Sequence, residues 1–445
     1  MIDSGTPEWL GTPAVAAVDG AAAIGTQVAL APEPEAKAPK KYVTLLTLAM
    51  FGNFMAIVAP IAFSLSVRTA QLEPAHQSWV GYAVSAGAFA GVVFGPIAGA
   101  LSDRTRSRIG RRRPWIASCL VIGVAGLLLA ALAPSFAVLI VGWCLAQLGL
   151  GTAQLQLLNT IADRVPEKQR GRVSGLTGVA QLIAGVFGAA VAASFVSNSV
   201  LLFLVPGGVG ALLMLAFVIF IKEPDTRSTD FGPRPSALML LKNYGFNVRK
   251  YSSFAWNWLG RFLFNFGVSL GTAFGALFFA TRLGMGVAEI GGIVALSGLV
   301  GVVSNAVAAG FSGWLSDKVG RRKPFILASG FILAVGAGIS AVASDVPLLM
   351  VGLFVLNFGL GLFFAVDQAL YITILPERDT EAGRFVGINQ FSTLLPQVIA
   401  PAVAPTLLLV GGTEASGNFG LLYIVAGAFA AVGGVVITLG VRNAK

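Results

Sequence analysis

Histidine is all but missing from this chain of 445 residues: His76 stands alone, so no histidine-based catalytic centre or metal cluster can be assembled. Cysteine is nearly as scarce. Cys119 and Cys144 both fall in apolar stretches, which offers no disulfide framework and no metal-ligand pattern, and small packing residues is their expected role. Charge is thin as well, at 11% of residues against 56% hydrophobic, and the mean hydropathy of +0.81 excludes a soluble domain. Enzyme chemistry has little to work with, and no cofactor or resident metal is expected.

Long apolar runs fill the space these absences leave. A membrane-crossing helix needs about 20 apolar residues, because the hydrocarbon layer is about 30 Å thick and each residue rises about 1.5 Å. By that measure there are twelve spans, starting near Val43, Val80, Trp115, Phe136, Val173, Val200, Phe254, Ile290, Phe325, Pro347, Phe385 and Gly420. Unpaired backbone amides are not tolerated in lipid, so every span is expected to be helical and the fold all-α. Of the 30 Lys and Arg, 27 fall in the tails and alternate loops of one side, Arg68 and Arg282 on the other, and Arg261 within a span. Short basic loops stay in the cytoplasm, which predicts a multi-pass protein of the cell membrane with both termini cytoplasmic. The net charge of +10 is therefore topological and implies no nucleic-acid partner. Nothing requires more than a monomer in the lipid bilayer.

The chain also repeats itself. GPIAGALSDRTRSRIGRRRPW at Gly95 to Trp115 returns, shortened, as GFSGWLSDKVGRRKPF at Gly310 to Phe325. Asp103 and Asp317 stand 214 apart, while Pro114 and Pro324 stand 210 apart, because the first loop has four extra residues. Pro166-Glu167 and Pro376-Glu377 are again 210 apart. Two equivalent halves follow, the architecture in which transporters place a substrate site between repeats. The expected division is a disordered cytoplasmic tail over residues 1–41, a six-helix bundle over 42–221, a cytoplasmic connector over 222–253 with a short surface helix at Ser236–Asn243, and a second six-helix bundle over 254–445. The tail has acidic residues but no basic one before Lys37, unlike a secretory signal.

Polar side chains are costly in lipid and should face protein or water. The third, sixth, ninth and twelfth spans carry no Asn, Gln or charge, which suggests a peripheral layer of four around eight helices enclosing a polar cavity. Gln147 and Gln154 lie two turns apart on one face with Gly151 between them; Asn257, Arg261 and Asn265 follow at steps of four. Such stripes either bind a ligand or join helices by hydrogen bonds. Arg261 and Asp367 are the charged residues placed well inside spans, at matching depths of about 12 to 14 Å. Each would cost roughly 2.5 to 3.5 kcal/mol unpaired at a helix centre, so pairing between the seventh and tenth spans is expected, for function or for structure alone.

In the two loops, Gly99 and Gly313 allow close helix approach, and Asp103 and Asp317 can accept from a helix end or an arginine. Arg111, Arg112, Arg321 and Arg322 hold the loops at the interface, and the expected role is a gate or latch. GxLSD followed by GRRRP or GRRKP resembles the major facilitator superfamily. The lengthened SDRTRSRIGRRRPW is similar to the glycoside, pentoside and hexuronide cation symporters and to plant sucrose symporters. That resemblance implies twelve transmembrane helices in two pseudo-symmetric six-helix bundles, alternating access, and uptake of a sugar or glycoside with a proton or sodium ion. Sodium users of that group are expected to carry carboxylates on the second and fourth spans. Here the second has none and the fourth only Asp163 at its end, which disfavours sodium. The resulting expectation is a secondary active transporter of a small polar solute by proton symport, with Asp367 alternating between a protonated state and a salt bridge to Arg261. Asn53, Gln147, Gln154, Asn257, Asn265, Asn357, Gln368, Tyr371, Asn389 and Gln390 are the candidate solute ligands. The rivals are a facilitator or exporter of an amphipathic molecule and a nontransporting scaffold or sensor.

Overall fold

The computed structural model describes residues 38–229, 245–377, 381–413 and 417–441, without the side chains at 313, 314, 317, 382 and 383. Positions 1–37 of the expected tail, the Ser236–Asn243 helix, and the side chains of Gly313 and Asp317 lie outside the described residues. All regular structure among the described residues is helical. The spans are α1 (Lys40–Leu72), α2 (Val80–Asp103), α3 (Arg113–Ala131), α4 (Phe136–Arg164), α5 (Glu167–Ala193) and α6 (Ser199–Phe220). The second set is α7 (Ser252–Ala273, continued by Gly275–Leu283 after a 56° bend), α8 (Gly291–Val319), α9 (Lys323–Val342), α10 (Val346–Ile374), α11 (Ala382–Leu408) and α12 (Phe419–Gly440). The chain is a multi-pass membrane protein.

Local chemistry sets where the helices begin and end. Pro114 and Pro324 sit in the first turns of α3 and α9, where a missing N–H costs nothing. Side-chain oxygens of Asn198, Asp345 and Asn418 accept from the first free N–H groups of α6, α10 and α12. Gly320 ends α8 in the left-handed region at φ 66°. Pro60 has no N–H to donate, and α1 widens there into a π-turn over Pro60–Ser64.

Apolar burial does not hold helices together in lipid, so close contact between small residues must. Gly126, Gly142 and Gly149 press α3 against the α4 backbone, and Gly336, Gly352 and Gly359, each 210 residues on, do the same for α9 and α10. Polar anchors repeat too. Arg68 donates to the Ala133 carbonyl at 2.7 Å just past the end of α3, and Arg282 to the Ala343 carbonyl at 2.7 Å just past the end of α9. These two cations of the otherwise cation-poor side therefore meet the negative ends of two equivalent helix dipoles. On the opposite, basic side Arg113 donates to the Val218 carbonyl of α6 at 2.7 Å and Lys323 to the Val441 carbonyl after α12.

The halves, α1–α6 and α7–α12, meet mainly through α2 against α11 and α5 against α8. These contacts lie at the side remote from the termini, called the far face here. Ser85 Oγ donates to the Val398 carbonyl at 2.5 Å. Gly81 abuts the Pro401 carbonyl and the Phe274 ring, Gly291 abuts Ala193 and Phe63, and Gly298 abuts Val186. Pro405 supplies no N–H to the Pro401 carbonyl, so that oxygen is left to face Gly81. Toward the basic face the same helices part: Gly91 and Gly95 on α2, Gly171, Gly175 and Gly178 on α5, and Gly310 on α8 have open space where a side chain would stand. The apolar core follows the same division. One cluster, running through Phe63, Val80, Phe274 and Ala404, joins both halves at the far face. At the basic face the clusters around Met50 and Phe217 and around Phe264 and Ile437 each stay within one half. The bundles are closed at the far face and separated at the basic face.

Candidate functional site

Two amides mark the walls between the bundles. Gln147 on α4 lies over Gly87 of α2, and Asn357 on α10 lies over Gly301 of α8. The glycines are 214 apart and the amides 210, so one contact has been duplicated and each half presents an amide at the equivalent place. Gln147 and Gln154 are half-buried, and Gly151 between them faces open space, so this stripe of α4 borders a void rather than a neighbouring helix.

At the seam is a cavity of about 410 Å³, walled mainly by α7, α8 and α10 with contributions from α1, α5, α9 and α12. Its polar lining is confined to Thr272, Ser297, Asn305, Asn357 and Tyr423, and it has no charged residue. Asn305 Nδ2 donates to the Gly301 carbonyl at 2.9 Å and to Asn357 Oδ1 at 3.2 Å, while Asn357 Nδ2 donates to the Leu353 carbonyl at 2.8 Å. The Thr272 and Ser297 hydroxyls each donate back to their own helix. Asn305, Thr272, Ser297 and Tyr423 were not among the candidates read from sequence. The available signal was the run Gly267, Gly271, Gly275 at steps of four, which bares one face of α7.

Arg261 and Asp367 meet. Arg261 Nη1 donates to Asp367 Oδ2 at 2.5 Å, with the two side chains 10% and 1% exposed. Neither lines the cavity; the pair is packed inside the second bundle between α7 and α10. One turn toward the far face Phe264 and Phe363 stack with ring centres 3.6 Å apart, and Tyr371 stands 6.0 Å from the guanidinium on the other side. Asp367 Oδ1, Arg261 Nε, both polar atoms of the Asn257 amide one turn before Arg261, and Tyr371 Oη one turn beyond Asp367 are buried without a hydrogen-bond partner, as is Asn389 Oδ1 on α11. Buried groups in that state call for water or a ligand, since each otherwise costs about 1–3 kcal/mol.

The remaining candidates scatter. Asn53 is fully buried with neither amide atom paired, and Asn265 donates to the Arg261 carbonyl of its own helix at 2.8 Å. Gln368 and Gln390 are exposed and are not among the residues lining the cavity. In the first loop Arg112 binds Asp103 at 2.6 Å and Asp163 at 3.1 Å, and also donates to Ser102 and Gln156; Arg111 binds Asp163 at 2.6 Å. Gly99 has only Leu155 nearby. In the second loop Arg322 donates to the Ala369 carbonyl and the Thr373 hydroxyl, and Arg321 is exposed. Thr373 occupies the place of Asp163, 210 residues on, so the second loop has lost one carboxylate. Each of these arginine contacts stays within its own half, as the parted basic face requires. Beside them Glu377 accepts from Tyr251 at 2.7 Å and Lys250 at 3.0 Å, and these two donors hold its carboxyl below the ordinary glutamate range.

Two twinned helix bundles, closed at one face, parted at the other and enclosing an uncharged cavity, define a membrane transporter of small solutes rather than an enzyme. The chain belongs to the Major Facilitator Superfamily, whose family model matches residues 42–311 and 302–445. It is similar to the sialic acid transporter NanX of Escherichia coli K12, 29% identical over 131 residues that cover 29% of this chain and 31% of that protein. It is also similar to the general alpha-glucoside permease of Schizosaccharomyces pombe, 32% identical over 126 residues that cover 25% of this chain and 21% of that one. The matched segments thus span less than a third of either relative. Among solved structures, a bacterial homologue of the human lysosomal transporter Spinster, inward-facing and unoccupied, superposes with a TM-score of 0.70 at 18% identity, covering 91% of this chain and 97% of that one. A D-xylose-proton symporter superposes with a TM-score of 0.67 at 16% identity over 91% and 97% of the two chains.

Proposed function

We propose that this protein is a secondary active symporter that carries a neutral sugar or glycoside into the cell together with a proton, by alternating access. The single observation carrying the proton is the buried Arg261–Asp367 pair with its second carboxylate oxygen unpartnered. The sugar class draws support from the similarity to an alpha-glucoside permease and from the amides of Gln147 and Asn357 at equivalent places in the two halves. The basic loops support a cytoplasmic setting for the parted face of a cell-membrane protein, and on that reading the state is inward-open and awaits release or reloading. It acts as a monomer, needs no cofactor and engages no nucleic acid.

In this reading Asp367 without a proton holds Arg261, and a protonated Asp367 releases it. The unpartnered oxygens of Asn257, Tyr371 and Asn389 suit ordered waters that lead a proton to the carboxyl. A proton falling through 100 mV supplies about 2.3 kcal/mol, enough for roughly 50-fold accumulation of a neutral solute. The test is uptake of a labelled sugar panel by proteoliposomes under an inward proton gradient. Wild type should accumulate its solute and Asp367→Asn should only equilibrate it; uphill accumulation by Asp367→Asn defeats the assignment. The nearly apolar cavity favours a second reading, facilitated passage of an amphipathic molecule without an ion, for which counterflow would proceed at full rate with no pH gradient.

A further inference from the structure

The 410 Å³ cavity is too apolar to be a pocket for a sugar ring alone. Sugar hydroxyls need a dense set of donors and acceptors, whereas here most of the wall is Val, Leu, Ala, Gly and Phe and the five polar residues are spread over α7, α8, α10 and α12. A count of their hydrogen-bonding atoms is informative. Both N–H groups of Asn305 are used, on the Gly301 carbonyl and on Asn357, which leaves its Oδ1 without a protein partner among the described residues. Thr272 and Ser297 have committed their protons to Val268 and Val294, so they too offer only lone pairs. Asn357 keeps one N–H after bonding the Leu353 carbonyl. Apart from the Tyr423 hydroxyl, the lining therefore shows three acceptors and one N–H donor, with no charge to compensate an ion.

We infer that this compartment is a binding subsite for an uncharged apolar group, of the size of a phenyl ring or short alkyl chain, bearing a hydrogen-bond donor and attached to the solute whose polar part faces Gln147 and Gln154. This rests on the sugar or glycoside reading above and extends it: the two walls divide an amphipathic solute between them, polar on α4 and apolar on α7, α8 and α10. Position supports the division. Gln147 and Asn357 are the equivalent amides of the two halves, and Asn357 lines the cavity whereas Gln147 and Gln154 do not, so the polar stripe of α4 lies outside the apolar compartment. The Arg261–Asp367 pair lies about 15 Å further along α7 from Gly271, at about 1.5 Å per residue, so the subsite can be altered without touching it.

Gly271 provides the probe, because a side chain there projects into the cavity with only Tyr423 nearby, at 3.9 Å from a Cβ. Proteoliposomes and detergent-purified full-length protein are tested with glucose, galactose and xylose, with their phenyl glycosides, and with benzyl alcohol as a sugar-free probe. Uptake competition and thermal protection are read for wild type, Gly271→Ala and Gly271→Leu. A phenyl glycoside should act at a concentration at least tenfold below its parent sugar in wild type and Gly271→Ala, and less than twofold below it in Gly271→Leu. The inference is overturned if the phenyl group brings no gain, or if Gly271→Leu weakens parent sugar and phenyl glycoside by the same factor. Should no sugar or glycoside act while benzyl alcohol still protects wild type and not Gly271→Leu, the subsite stands and the sugar reading falls. If benzyl alcohol fails as well, both fall.

Discussion

Removing one member of the Arg261–Asp367 pair should do more damage than removing both. Asp367→Asn leaves a guanidinium buried between α7 and α10 with its main acceptor gone, and it cannot shed its charge. Breaking a buried pair from one side costs about 3–5 kcal/mol, and a lone charge at a membrane helix centre about 2.5–3.5 kcal/mol, so a loss of about 3 kcal/mol is expected. Arg261→Gln should be milder, because a stranded carboxyl can take up a proton, and its penalty should shrink as the pH is lowered. The double variant Arg261→Gln/Asp367→Asn buries two neutral amides of similar shape and should recover at least about 2 kcal/mol of the summed losses. Thermal unfolding of the four proteins in one detergent gives the cycle. Additivity within about 0.5 kcal/mol would show that the two side chains do not depend on one another and would refute the reasoning. Recovered stability must not bring back uphill transport, since the double variant has no group to carry the proton.

The far-face seam is open to a similar test. Gly81→Val would drive a side chain into the Pro401 carbonyl and the Phe274 ring, an overpacking cost of about 1–3 kcal/mol that falls only on the state closed at that face. Spin-label distances across the basic face should shorten in Gly81→Val and stay unchanged in Gly91→Val, whose site is open; equal behaviour of the two would contradict the described closure. Arg68→Ala should cost at least as much stability as Arg282→Ala, because both lose a helix-end carbonyl but Arg68 also donates to Gln71 and Ser199. Chemical denaturation ranks them, with hydrogen bonds to charged groups worth about 1.5–3 kcal/mol. Glu377 is held below its ordinary value by Tyr251 and Lys250, so its stabilising contribution is complete above the ordinary glutamate pKa and is lost as pH falls through the lowered one. Acid loosening of the start of α7, followed by hydrogen exchange, should lose this component in Glu377→Gln; an unchanged acid profile would remove Glu377 from that role.

Much of this molecule is written in its composition and periodicity. Twelve apolar runs, the 210- and 214-residue offsets and the one-sided distribution of Lys and Arg depend only on lipid being a poor solvent for amides and charges, which any window of sequence reveals. Arg261 and Asp367 were visible for the same reason: two unlike charges at one depth stand out against hydrocarbon. Gln368 and Gln390 stood out as well; both are exposed and neither is among the residues lining the cavity. Tertiary structure alone decided which face of the bundle is shut, since Gly81 against Pro401 and Gly298 against Val186 are close approaches between residues more than a hundred positions apart. It alone brought Asn305 to Asn357 and left Asn305 with a bare acceptor over an apolar hollow. Spacing along a helix fixes the face a residue occupies; what that face meets is set by how two backbones pack, and helical periodicity carries no record of the partner.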